Sequence, residues 1–313
     1  MEDRITRLGW VGVGRMGHAL VSRLLSAGYE VAIYNRTREK ALDLVELGAT
    51  VVDSVADLAD REIVFTMVAG SADVEEVVDA LLSRADTQPG LIVDSTTISP
   101  SAGESIRARA AERGTAMLAA PVSGNPKVAA SGRLTIVASG PADAWEQGRP
   151  YLELLCRKVT YVGEGERARL VKVCHNLMLG VVAECMAEIS ILAEQGGVSR
   201  ADLWEFLNDS VMGSVFTRYK TPAYVNLDFN PTFTPALLLK DFHLGFEAAR
   251  ATHVPMPVVA AAEQVVQLLE GIKGNEVDFA ALIELVAQGA GVELVPEGVE
   301  IDDGLAPLES VAG

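Results

Sequence analysis

The run Leu8-Gly9-Trp10-Val11-Gly12-Val13-Gly14-Arg15-Met16-Gly17-His18-Ala19-Leu20-Val21 decides the fold. Leu8, Trp10 and Val11 read as a short buried strand, and apolar residues resume at helical spacing after Gly17. Between them Gly12, Gly14 and Gly17 hold GxGxxG spacing. Glycines at these places permit a tight turn, a close approach of the backbone to a pyrophosphate, and close packing of helix on strand. The helix that opens there offers unsatisfied amides to phosphate oxygens. Residues Gly12, Val13, Gly14, Arg15, Met16 and Gly17 are therefore expected to hold a dinucleotide.

Working outward, short β-branched runs alternate with helical stretches as far as about residue 163, the pattern of a parallel sheet wrapped by helices. Strands are expected at 8–11, 30–34, 50–52, 63–67, 91–94, 116–119, 134–138 and 159–162. Beyond Gly163-Glu164-Gly165 the pattern is helical only. It opens on an unusually long apolar run over 166–195, read as a central post buried on several sides. Ser199 and Thr234-Pro235 carry helix-start signals, and further helices are expected near 257–272 and 279–286. The 313 residues thus divide into an α/β domain over 1–164, an all-helical domain over 165–290, and an acidic segment over 291–313 expected to be a mobile tail.

Charge and composition exclude several roles. There are 43 acidic and 26 basic residues, a net charge of −17, so a phosphate backbone would be repelled and no nucleic-acid partner is expected. Aromatic residues make up 5%, too few for a base-stacking surface. The first residues lack the basic and apolar runs of a secretory signal. The longest charge-free stretch, 114–126, is too short and too rich in Gly and Pro to span a bilayer. A cytoplasmic protein with no membrane partner is expected. Cys156, Cys174 and Cys185 show no bridge or ligand pattern, and no metal site is expected.

A second position bears on the dinucleotide. At the end of the second strand, 23 residues after Gly12, an acid would ordinarily hold a ribose 2′-hydroxyl. Here stand Asn35, Arg36, Thr37 and Arg38. A carboxylate would repel a 2′-phosphate, whereas a guanidinium and a hydroxyl donate to one. NADP is expected, with NAD the alternative. Farther along, Lys172 and Asn176 lie four residues apart near the start of the long helix and share a face. A lysine on an otherwise apolar helix just beyond a domain boundary can serve as acid or base beside a nicotinamide.

Five blocks carry a resemblance: GVGRMG with its NRT sequel, DSTTISP at 94–100, PVSGNPKVAASGRLTIVASG at 121–140, GEGERARLVKVCHN at 163–176, and LLLKDFHLG at 237–245. In this order the chain resembles the β-hydroxyacid dehydrogenases, which include 3-hydroxyisobutyrate dehydrogenase and the tartronate semialdehyde and glyoxylate reductases. The resemblance implies a Rossmann-type doubly wound sheet followed by an all-α domain like that of 6-phosphogluconate dehydrogenase, built on one long helix. It implies Lys172 as catalytic acid/base and Asn176 as a substrate-holding residue. Ser123 and Gly124, with Asn125, would bind a small carboxylate. Thr96 and Thr97, together with Met67 and Val68, would line the nicotinamide ribose and substrate edge, and Lys240 would reach both cofactor and substrate, with Asp241 in an ion pair beside it. The implied reaction moves a hydride between a carbinol carbon and nicotinamide C4.

The substrate loop departs from the family pattern, with Asn125, Val128 and Arg133 at places that usually carry Gly, Gly and Thr. MVAG at 67–70 lacks the usual Pro. Two alternatives stay open: an imine reductase, and an NADP-binding scaffold without turnover. His243 shares a face with Lys240 and could join the site; His175 and His18 read as packing and surface residues. Trp204, Phe206 and Leu207 read as the core face of one helix. A homodimer or homotetramer is expected from the apolar long helix.

Overall fold

The glycine turn sits where a parallel sheet changes winding direction. The computed structural model describes residues 6–305, which divide into two compact units, one ending at Lys172 and one starting at Val173. The first unit runs β1 (Arg7–Val11), α1 (Arg15–Ser26), β2 (Glu30–Tyr34), α2 (Asp43–Glu46), β3 (Thr50–Val51), β4 (Ile63–Thr66), α3 (Ser71–Leu81), β5 (Leu91–Asp94), α4 (Pro100–Glu112) and β6 (Ala116–Ala119). These strands form one parallel sheet in the order β3-β2-β1-β4-β5-β6. Sheet winding reverses between β1 and β4, the place at which such sheets bind ligands at their carboxyl ends. Every residue of β4 and β5 is buried, as strands covered on both faces must be. Trp10 is fully buried, stacks on Phe65 with centroids 5.4 Å apart, and donates from Nε1 to the Gly12 carbonyl at 2.9 Å.

The chain then departs from the single sheet that the strand pattern suggested. β7 (Val122–Ser123), α5 (Pro126–Ala130), β8 (Thr135–Ala138), α6 (Ala142–Leu155) and β9 (Lys158–Tyr161) follow. The strands among them form a separate three-stranded sheet, β7 antiparallel to β8 and β8 parallel to β9. Period and composition locate a strand but do not name its partner. Pro121 begins the departure, since it has no N–H for a ladder.

The long helix α7 (Arg167–Gln195) opens the helical part of the chain. By length and composition alone it could cross a membrane, but half of its most apolar window is buried inside the protein. The second unit continues with α8 (Arg200–Asp209), α9 (Val215–Asn226), α10 (Pro235–Thr252), α11 (Pro257–Lys273) and α12 (Leu282–Ala290). Val173, Leu177, Ala183, Met186 and Ile191 of α7 join Trp204, Tyr224, Leu238, Phe242, Val266, Leu269 and Ile283 in one core. The caps are those the residues specify: Ser199 Oγ accepts from Asp202 N at 3.0 Å, and Thr234 Oγ1 accepts from Leu237 N.

Two expectations are corrected here. Of the residues read as a core face on α8, Trp204 is buried but Phe206 is 71% exposed; the two lie two positions apart, on different sides of a helix. The segment after α12 is not a loose tail as far as residue 305. Arg200, itself buried, donates to the carbonyls of Val225 and Val295, while Glu297 accepts from the amides of Arg200 and Ala201. Val292, Leu294 and Ile301 pack on the helical core, and Leu305 is buried. Residues 306–313 of the expected tail lie outside the described residues.

Candidate active site

Each glycine of the turn has a distinct environment. Gly12 has φ +95°, and a Cβ on it would stand 2.2 Å from the Met67 carbonyl oxygen. A Cβ on Gly17 would stand 2.0 Å from the Gly12 carbonyl oxygen. Both positions are closed to side chains by backbone packing. At Gly14 nothing lies within 4 Å of such a Cβ; that glycine keeps open the space in front of the helix. Gly14 is also the N-cap of α1, so the helix begins at that space. An open approach and a helix N-terminus fit a dinucleotide pyrophosphate. Val13 is buried beneath the turn, and Arg15 is exposed at its rim.

The neighbouring strand ends complete the cradle. Asn35, directly after β2, accepts from Val13 N at 2.8 Å through Oδ1 and donates from Nδ2 to the Thr37 carbonyl at 2.7 Å. Its amide thus braces the glycine turn, a role the sequence reading did not anticipate. Arg36 is 87% exposed, with Asp73 of α3 at 3.7 Å, and Thr37 is exposed beside it. Arg38 turns away to Asp53 at 2.7 Å. Met67 N donates to the Val11 carbonyl at 2.9 Å, and Val68 N donates to Thr96 Oγ1 at 3.1 Å. Thr96 is buried with its hydroxyl engaged in that bond; Thr97, the next residue, is half-buried.

Beneath Thr96 lies a charged cluster that sequence reasoning missed. Asp94, the last residue of β5, is fully buried and accepts from Thr66 Oγ1 at 2.7 Å and from Thr96 N at 3.2 Å. Arg169 of α7, 1% exposed, stands with Nη1 2.7 Å from Asp94 Oδ2. The same nitrogen directs a hydrogen bond to the Thr96 carbonyl at 3.1 Å, so its contact with the carboxylate is ionic rather than an aligned hydrogen bond. Arg169 Nε donates to Glu166 Oε2 at 2.6 Å, and Arg107 Nε donates to Glu166 Oε1 at 2.7 Å. Gly103 of α4 makes room, because a Cβ there would stand 2.3 Å from Glu166 Oε2 and 2.4 Å from Arg169 Nε. The signal in the sequence was spacing: Arg169 falls four and eight residues before the core residues Val173 and Leu177, on the inward face of the helix.

Lys172 follows three residues after Arg169 and is half-buried; one turn further on, Asn176 is buried. Asn176 donates from Nδ2 to Asp241 Oδ2 at 2.5 Å, and its Oδ1 lies 2.8 Å from His175 Nδ1. Asp241 thus holds Asn176. Lys240 is half-buried on α10, and His243, 68% exposed, lies 3.7 Å from Glu263.

In the 123–133 segment, proposed from the resemblance to hold substrate, the Asn125 and Val128 side chains that depart from the family pattern turn back on the loop itself. Ser123 ends β7, and Gly124 has φ +135°, where a Cβ would stand 2.6 Å from Leu134 and 2.7 Å from Val128. Asn125 has ordinary extended φ and caps α5, its Oδ1 accepting from Val128 N at 3.0 Å. Its side-chain oxygen is thereby spent on the loop itself, and Val128 is buried beneath Gly124. Arg133, at the strand entrance, is half-buried.

A glycine turn at the switch point of a 3-2-1-4-5-6 sheet, followed by a helical unit on one long helix, defines a nicotinamide dinucleotide-binding oxidoreductase. Residues 7–163 match the family model for the NAD binding domain of 6-phosphogluconate dehydrogenase, and residues 166–286 match that for the NAD-binding domain of NADP-dependent 3-hydroxyisobutyrate dehydrogenase. The chain belongs to the β-hydroxyacid dehydrogenase family. It is 32% identical over 291 residues to an NAD-dependent L-serine dehydrogenase of Pseudomonas aeruginosa, covering 89% of this chain and 97% of that one. It is 30% identical over 275 residues to a 3-hydroxyisobutyrate dehydrogenase of the same organism, covering 84% and 92%. The structure of Mycobacterium tuberculosis 3-hydroxyisobutyrate dehydrogenase with L-serine superposes with a TM-score of 0.80 at 28% identity, covering 90% of this chain and 99% of that one. The protein is an NAD(P)-dependent dehydrogenase by family.

Proposed function

We propose that this enzyme uses NADP and interconverts a small 3-hydroxy acid with its aldehyde or keto form. The observation that carries the reading is the anchoring of the first turns of α7, which bear Lys172, to the carboxyl end of β5 through Arg169 and Asp94. That end of the sheet also carries the glycine turn. When bound, the nicotinamide supplies or accepts the hydride at the substrate carbon. Lys172 gives a proton to the carbonyl oxygen in reduction and takes it from the alcohol in oxidation. The Ser123 hydroxyl and the Gly124 amide hold the substrate carboxylate, assisted by the Asn125 backbone, Asn176 and Lys240. Thr97 lines the place where substrate and ribose meet, while Thr96 keeps Val68 in position below it.

The absence of an acid after β2, together with the exposed Arg36 guanidinium, supports NADP over NAD. The relatives' names point to 3-hydroxyisobutyrate and L-serine as first substrates to try. Exposed Met178 and Leu192 on α7 support a homodimer or homotetramer. The reading is tested by following absorbance at 340 nm with 3-hydroxyisobutyrate, L-serine, semialdehydes and glyoxylate, with each cofactor. Turnover with NADP is expected, and Lys172→Ala should lose about 10²- to 10⁴-fold in kcat with its thermal transition unchanged. A Lys172→Ala enzyme as active as the parent would sink it.

A further inference from the structure

The cluster Asp94–Arg169–Glu166–Arg107 is the most deeply buried set of charges among the described residues of the first unit, and the proton transfer just described does not use it. Its placement points to another task. Asp94 terminates β5, and its carboxylate gathers the Thr66 hydroxyl and the Thr96 amide. Thr96 in turn receives Val68 N–H on its hydroxyl. The turns after β4 and β5, which carry Met67, Val68, Thr96 and Thr97, are thus cross-linked through one carboxylate and one hydroxyl. Arg169 adds the first turn of α7 to that set, with Asp94 Oδ2 at 2.7 Å, the Thr96 carbonyl at 3.1 Å and Glu166 at 2.6 Å. Arg107 reaches Glu166 from α4, donates to the Gly165 carbonyl at 3.1 Å and also bonds the Met117 carbonyl. A planar guanidinium makes several contacts in fixed directions at once, which a lysine ammonium cannot reproduce.

We propose that Arg169 is a positioning residue that fixes the separation between the 95–97 turn and Lys172, so that cofactor contacts and proton donor are set by one buried ion pair. The proposal rests on the reading of Lys172 given above. Buried charge pairs are weak sources of net stability, whereas a shift of about 1 Å in a reacting group can cost about 10²-fold in rate. Geometry, more than stability, is therefore what this pair contributes.

The test uses the full chain carrying Arg169→Lys or Asp94→Asn, the second substitution preserving side-chain size should the first fail to fold. Cooperative thermal unfolding identifies the folded variants. In these, the Kd for NADPH, read by nucleotide fluorescence, is expected to rise about tenfold. The single-turnover rate constant of NADPH oxidation is expected to fall by at least about tenfold, with full amplitude. A merely structural role would lower the amplitude with the folded fraction and leave Kd and rate constant alone; a folded variant with the parental Kd overturns the proposal. A parent enzyme that binds NADPH but oxidises it with no carbonyl defeats the reading of Lys172 instead, and the Kd comparison still decides whether Arg169 holds the 95–97 turn.

Discussion

Asn125 Oδ1 accepts the amide hydrogen of Val128 at 3.0 Å, capping the five-residue helix α5 between β7 and β8. The family's usual glycine could not make this bond. Asn125→Ala should cost about 1 kcal/mol of stability, and Asn125→Asp should retain the cap. If the cap also shapes the loop, Asn125→Ala raises KM for the carboxylate substrate more than it lowers kcat. Calorimetry and steady-state kinetics on the two variants read both effects.

Arg36 supplies the cofactor prediction. With its guanidinium almost fully exposed and Asp73 at 3.7 Å, Arg36→Glu places a carboxylate where a 2′-phosphate would sit. KM for NADPH should rise by about tenfold, because the reversal removes a charge-assisted contact to the 2′-phosphate and sets a like charge in its place. KM for NADH should stay level or fall. An unchanged preference would assign the discrimination to other residues.

Gly14 and Gly17 should fail in different ways. Gly14→Ala meets nothing in the protein and keeps an extended φ of −70°, so its thermal transition should match the parent while NADPH binding weakens. Gly17→Ala drives a methyl group to 2.0 Å from the Gly12 carbonyl oxygen and must displace the turn or α1, lowering stability as well. Thermal shift with and without NADPH separates the two outcomes.

Glu184, on the buried side of α7, has Oε2 without a hydrogen-bond partner among the described residues, and burial together with Glu188 pushes its carboxyl up to about 7. The folded state then holds a proton that the unfolded chain has already released between pH ~5 and pH ~7. Stability should fall as pH rises through that window. Glu184→Gln removes the fall, with no gain near pH 4 and up to about 3 kcal/mol at pH 8. Melting curves at the two pH values check the sign; equal shifts at both would refute it.

Much of the site was legible because it depends on neighbours in the chain. GxGxxG after an apolar strand can close only one kind of turn, and Ser199 and Thr234 announce their helices within three residues. The 3.6-residue period exposed α7 over its whole length. Lys172, Asn176, Thr97 and Ser123 were picked out through blocks of local pattern and resemblance, and their roles stand as proposals for the kinetic tests above. What stayed hidden was every pairing between distant segments. A single arginine in an apolar helix does not say that its partner is Asp94, 75 positions earlier.

The amino-acid order by itself fixed the glycine turn, eight of the nine strands of the first unit, the all-helical second half and the lack of an acid after β2. Each follows from steric and hydrogen-bonding rules acting over a few residues. Only the tertiary structure decided that β7, β8 and β9 leave the main sheet, that Asn125 spends its side chain on a cap, that Arg200 binds Val295 and Glu297, and that Asp94 and Arg169 meet in the interior. Strand partners and buried charges are chosen by which surfaces remain unsatisfied once the chain has collapsed, and that choice is made across space rather than along the sequence.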